Sequence, residues 1–231
     1  MLSDLLYSLK ETEFFFNLFG YISFRSGLSL VTSFFIVIIL MPHWIRFQKS
    51  IFPSGQPIRN DGPDTHYHKK GTPTLGGVLI LFSIILSSIL WTSNFSSFNY
   101  ILILTLTLFG LIGLVDDFQK VKLGKGISSK TKFLSQLLAT LIIYFTIKYN
   151  GFDLNKFSIP FLKDVSIELG YLYFVLILLI VVGSTNATNL TDGLDGLVSM
   201  PLIFVFLTFA IFAYVLGNIN FSDYLLVNYM K

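Results

Sequence analysis

Polar residues along this chain are gathered into a few short clusters, and long apolar stretches run between them. Six stretches predict membrane-crossing helices: about Leu28 to Trp44, Thr74 to Trp91, Tyr100 to Val115, Phe133 to Tyr149, Tyr171 to Ser184 and Leu197 to Leu216. A helix needs roughly 20 mainly apolar residues to cross the hydrocarbon core. Backbone polar groups in lipid must be satisfied within the segment, which leaves the helix as the element. The expected fold class is therefore all-α, a polytopic transmembrane helical bundle of about six spans. With 231 residues there is no room for a separate soluble domain, so 1–231 reads as one integral-membrane domain. Phe14 to Phe16 and Phe19 form a shorter aromatic stretch, broken by Asn17 and Gly20, that suits the membrane interface. Trp44, Trp91, Tyr100, Tyr149 and Tyr171 fall near span ends, where amphipathic rings prefer the headgroup level. Met1 to Gly27 has no cleavable signal pattern, so insertion is expected to use the spans themselves.

Composition agrees with the pattern: 53% of residues are hydrophobic and 13% charged, and mean hydropathy is +0.72, whereas soluble domains carry about 25% charged residues. A net charge of +3 points to no nucleic-acid partner. The absence of cysteine excludes disulfides, thiolate metal sites and a cysteine nucleophile. The distribution of charge says more than its sum. Arg46, Lys49, Arg59, Lys69 and Lys70 follow span one, and Lys120, Lys122, Lys125, Lys130 and Lys132 follow span three. Lysine and arginine are sparser on the other side, at Lys10, Arg25, Lys148, Lys156, Lys163 and Lys231. The positive-inside rule places the first two of these loops in the cytoplasm and both termini outside. Three polar clusters, Thr65 to Thr74, Asp116 to Lys132 and Asn189 to Asp195, are then expected to converge on the cytoplasmic face.

Each cluster carries chemistry. Asp116 and Asp117 follow FGLIGLV directly, so span three delivers two adjacent carboxylates to headgroup depth. Such a pair suits a divalent cation or a proton-accepting step, although solvated end caps are the plainer alternative. Gly110 and Gly113 would allow close helix packing just before it. In NLTDGLDGL, Asn189, Asp192 and Asp195 are spaced three apart and would share one face if the stretch opens span six; simple helix capping is the alternative there. In HYHKKGTPTLGG, Lys69 and Lys70 precede a Gly, Thr and Pro series at the entry to span two, where amides and hydroxyls can receive anionic oxygens. His66 and His68 read as loop histidines, and Lys122 and Lys125 as topological signals. Lys120 and Lys132 are placed to face an anionic substrate beside the carboxylates. Carboxylates with lysines around a membrane-level cavity are the inventory for phosphoryl transfer.

KKGTPTLGG at Lys69 to Gly77, LVDDFQK at Leu114 to Lys120 and NATNLTDGLDGL at Asn186 to Leu197 together resemble the phospho-N-acetylmuramoyl-pentapeptide transferases. These are a branch of the polyprenyl-phosphate N-acetylhexosamine-1-phosphate transferase family, and the resemblance covers nearly the whole chain. It implies transfer of phospho-N-acetylmuramoyl-pentapeptide from UDP-N-acetylmuramoyl-pentapeptide to undecaprenyl phosphate, giving lipid I and UMP, with Mg²⁺ required. It implies a multi-pass protein of the bacterial inner membrane, surrounded by membrane lipids, with its active site towards the cytoplasm; a homodimer is left open. Carried over by motif, Asp116, Asp117 and Asp192 resemble the catalytic and metal-binding carboxylates. Lys69, Gly193, Leu194 and Asp195 resemble the pocket for the uridine end, while Thr74, Asn189, Lys120 and Lys132 resemble the lining of the diphosphate path.

The family pattern runs to ten spans and supplies, beyond the position of Met200, a further metal-binding aspartate and a histidine-rich loop. Neither stands in this sequence, and the expectation is an incomplete metal site with little or no turnover. Related transferases with another amino-sugar donor, and an inert membrane fragment, are the competing readings. A transporter would place acidic residues mid-span, and the six stretches contain none.

Overall fold

The computed structural model describes residues 1–53, 73–152, 154–159, 165–192, 196–227 and 229. Helices occupy all six expected positions. They are α2 (Ile22–Ile51), α3 (Gly76–Trp91), α4 (Ser97–Leu123), α5 (Ser129–Tyr149), α6 (Leu172–Thr191) and α7 (Ser199–Leu216). Short helices flank them: α1 (Leu2–Ser8) at the start, and α8 (Ile219–Tyr224) after α7. The fold is that of an all-α polytopic membrane protein. Four helices, α2, α4, α6 and α7, are long and apolar enough to cross a membrane by length and composition. At 16 residues α3 is shorter, and α5, which carries Lys130, Lys132, Gln136 and Lys148, is not among the four.

Two compact units divide the chain, Met1–Ala139 and Thr140–Lys231. In the first, α2 and α3 are joined at both ends by indole hydrogen bonds. Trp91 Nε1 donates to Thr32 Oγ1 at 2.9 Å, and Trp44 Nε1 donates to the Leu75 carbonyl at 3.2 Å. Between those ends the contact face carries small polar residues. Ser83 and Ser87 are each 1% exposed, and their hydroxyls are satisfied by the Ile80 and Ile84 carbonyls, with Ser29 donating to Ser87. Lipid supplies no hydrophobic drive between helices, so small residues and internal hydrogen bonds are what draws them together. Towards α4 the close approach falls at Gly110, where a Cβ would run into the Leu81 side chain; Gly113 faces open space. The aromatic stretch forms a 3₁₀ segment, Phe14–Gly20, that folds over the Trp91 end of this pair. Phe19 is buried and stacks on Trp91 at 6.0 Å, while Phe14 stays exposed.

Two expectations are corrected. First, α4 does not end at Val115 but continues through the two aspartates to Leu123. Gln119, Lys120, Lys122 and Leu123 are good helix formers and carry the helix past the aspartates to Gly124, whose φ of 73° closes it and whose amide bonds the Lys120 carbonyl. Second, NLTDGLDGL does not open span six. Asn189 lies in the last turn of α6, Asp192 is its C-cap residue, and α7 starts only at Ser199. The polar residues of α6 are absorbed because Thr185, Asn186 and Thr191 donate to carbonyls four residues back. The loop after α5 holds a small ribbon, in which β1 (Lys156–Ser158) and β2 (Ser166–Glu168) pair antiparallel, with Phe157 opposite Ile167. Elsewhere in the second unit, Tyr144 of α5 meets Phe174 of α6 edge to face, 5.3 Å between centroids.

Candidate functional site

The chemistry concentrates where α4 outlasts its apolar stretch. Because the helix continues, Asp116, Asp117 and Lys120 fall on successive turns. Lys120 lies three and four residues beyond the carboxylates, the spacing at which helical side chains meet. Its Nζ stands 2.8 Å from Asp116 Oδ2 and 3.0 Å from Asp117 Oδ1, bridging the pair. A second ammonium arrives from the next helix: Lys132, in the first turn of α5, places Nζ 3.6 Å from Asp116 Oδ2.

That arrival depends on a tight connection. Gly124 reverses the chain, Gly126 passes against the Asp116 carboxylate, and the Ile127 amide donates to Asp116 Oδ1 at 3.0 Å. Ser128 then caps α5, its Oγ accepting from the Thr131 amide at 3.1 Å. Asp116 is thus engaged on both oxygens and only 6% exposed. Asp117 has one oxygen on Lys120, a side chain 37% exposed, and a second oxygen with no partner among the described residues. Two carboxylates and two ammoniums make a locally neutral group, which lowers the cost of holding Asp116 out of water. Close by, the Phe52 and Phe118 rings meet edge to face at 6.0 Å, and Lys122 Nζ lies 6.0 Å over Phe118.

The structure therefore brings together Asp116, Asp117, Lys120 and Lys132. Thr74 lies two residues before α3, and among the described residues no hydrogen bond or ion pair joins it to this group. Asn189 and Asp192 belong to the second unit, at the end of α6. Lys69, Gly193, Leu194 and Asp195, like His66, His68 and Lys70, lie outside the described residues. No group of three or more metal-ligating side chains occurs among the described residues. Sequence reasoning missed Gly126 and the Ile127 amide. The signal was present as two glycines bracketing one lysine between a helix end and a serine cap, GKGIS. Apart from this site, an apolar groove of about 540 Å³ lies between α2 and α3, bounded by Leu40, His43, Trp44 and Phe82.

Residues 99–230, more than half the chain and including Asp116, Asp117, Lys120 and Lys132, match the family described as Glycosyl transferase family 4. The chain belongs to glycosyl transferase family 4. Among similar family members, the phospho-N-acetylmuramoyl-pentapeptide-transferase of Rickettsia prowazekii (strain Madrid E) is 40% identical over 100% of this chain. The protein of the same name from Desulforapulum autotrophicum (strain ATCC 43914 / DSM 3382 / VKM B-1955 / HRM2) is 44% identical, again over 100% of this chain. The chain spans 64% of the length of each of these two relatives.

Proposed function

We propose that this chain carries the catalytic carboxylates of a phosphoglycosyl transferase. It would move phospho-N-acetylmuramoyl-pentapeptide from its UDP carrier to undecaprenyl phosphate, producing lipid I and UMP at the cytoplasmic face of a bacterial inner membrane. The observation that carries the reading is the aspartate pair held by two lysines at the end of an apolar helix. Both named relatives, at 40% and 44% identity, support the donor.

The reaction asks little covalent chemistry of the protein. A phosphate oxygen of the lipid attacks the β-phosphorus of the sugar nucleotide in line. The bond from that phosphorus to the oxygen bridging it to the α-phosphate breaks, and UMP leaves with that oxygen. Catalysis is then positioning and charge neutralisation. Lys120 and Lys132 supply ammonium donors for the diphosphate, and Asp117 offers the oxygen that has no partner among the described residues either to a proton on the attacking phosphate or to a cation. Mg²⁺, the divalent ion the reading implies, would neutralise charge on the departing phosphate. The donor set fits Asp117 as a ligand. Asp116 fits poorly, because an amide and two ammoniums already occupy its oxygens. Asp192 of α6, with Asn189 one turn before it, would complete the polar lining together with Lys69, Thr74, Gly193, Leu194 and Asp195.

Purified chain in detergent, titrated with UDP-N-acetylmuramoyl-pentapeptide and then supplied with undecaprenyl phosphate, tests the reading. Specific binding of the sugar nucleotide is expected, with lipid-linked product lowered about a hundredfold by Asp117→Asn. A native chain that ignores this nucleotide but binds another UDP amino sugar would refute the assigned donor.

A further inference from the structure

Two glycines flank Lys125, and they are there for different physical reasons. Gly124 sits at a φ of 73°, and a Cβ added to it would meet nothing within 4 Å, so that position needs backbone conformation. Gly126 is the reverse. Its φ lies outside the left-handed region, yet a Cβ there would overlap Asp116 Oδ1 and come within 3.2 Å of Lys120 Cε. This position needs space. The oxygen in the way cannot swing aside cheaply, because its carboxylate is tied by the Ile127 amide on one side and by Lys120 and Lys132 on the other.

We propose that Gly126 is a positioning residue: carrying no side chain, it lets the Asp116 carboxylate seat on the Ile127 amide, and that seat fixes Lys120 and Lys132 as a paired clamp for a nucleoside diphosphate. The ligand in this inference rests on the function proposed above; the seat does not. An ammonium has three donors. Lys120 uses two, on Asp116 and Asp117, while Lys132 is held to Asp116 as an ion pair at 3.6 Å. Both ammoniums are thereby gathered on one anchor, Asp116, whose orientation the Ile127 amide sets. Asp116 in this account holds Lys120 and Lys132 in place.

The test reads the lysines directly. Purified chain in detergent is reductively methylated for short times, and each lysine is quantified by mass spectrometry. In Gly126→Ala, Lys120 and Lys132 should react about fivefold faster as their ion pairs open, with Lys122 and Lys125 unchanged. Unchanged reactivity at Lys120 and Lys132 overturns the seat, and equal acceleration of all four lysines overturns it too, by showing general loosening of the loop. Ile127→Pro removes the amide donor and sets its ring Cδ against the same carboxylate oxygen, so it should give the same selective pattern. It carries the test, with the same refuting outcomes, if Gly126→Ala is not recovered folded.

Titration with uridine diphosphate supplies the second readout. Affinity should fall about tenfold in Gly126→Ala, and combining it with Asp116→Ala should add nothing further, as coupled positions do. Selective lysine exposure with undiminished affinity would refute the clamp. If the native chain does not bind uridine diphosphate at all, the proposed function falls and the clamp with it, while lysine reactivity still decides the seat.

Discussion

At the residue scale the two adjacent aspartates, alike in sequence, are unlike in physics. Asp116 is buried with three partners, the Ile127 amide and the Lys120 and Lys132 ammoniums, in the space that Gly126 leaves. Asp117, one residue on, faces partly outwards with a single ammonium. Deleting one member of a buried ionic group strands the others, whereas an exposed pair gives up little because water replaces it. Asp116→Ala should therefore cost about 3 kcal/mol of stability, and Asp117→Ala well under about 1 kcal/mol. If the proposed transfer function holds, activity should show no such asymmetry, both substitutions removing whatever transfer the chain supports. Thermal unfolding of the solubilised chain, run beside the transfer assay, separates the two. Equal destabilisation by both would contradict the environments described above.

Among elements, the informative case is the α2 and α3 pair, whose contact face is built of serines and indole N–H groups. Ser87→Leu should open this face, since adding bulk to a close helix contact typically costs about 1–3 kcal/mol. Trp91→Phe should cost less, about 1 kcal/mol, because the ring keeps its place on Phe19 and only the bond to Thr32 is lost. Unfolding midpoints would rank them, and the reverse order would show that the indole bond, not small-residue packing, holds the pair. This level also shows what the sequence could reveal. All six apolar stretches became helices, because length and apolarity act locally. Their ends did not follow, because polarity marks where lipid stops and not where a helix stops. Thus α4 carried on through Asp116 and Asp117 to Gly124, and α6 took in Asn186, Asn189 and Thr191 by side-chain bonds to its own backbone. Lys120 beside Asp117 was legible from spacing alone. Lys132 on Asp116 was legible only as a suspicion of shared depth, and the Gly126 seat only as the paired glycines of GKGIS, which mark a tight turn without saying which carboxylate it admits.

For the whole molecule, the decisive quantity is which side of the membrane each polar cluster occupies. Ten of the sixteen lysines and arginines lie in the loops after the first and third spans, and the positive-inside rule assigns those loops to the cytoplasm. If all six apolar helices cross, the loop after α5 is expected outside and the end of α6 inside again. The chain has no cysteine, so single-cysteine variants at exposed positions report without background. In spheroplasts, a membrane-impermeant maleimide should label Asn150→Cys at once, and should label Lys125→Cys and Leu190→Cys only after lysis. Lys125 neighbours the seat of Asp116, and Leu190 stands two residues before Asp192, so these variants sample the two acidic clusters that one active site requires. Labelling of Leu190→Cys in intact spheroplasts, with Lys125→Cys still protected, would put a bilayer between them. Asp192 could then serve neither the diphosphate nor its cation, and the chemistry would have to be confined to the four side chains at the end of α4 and the start of α5.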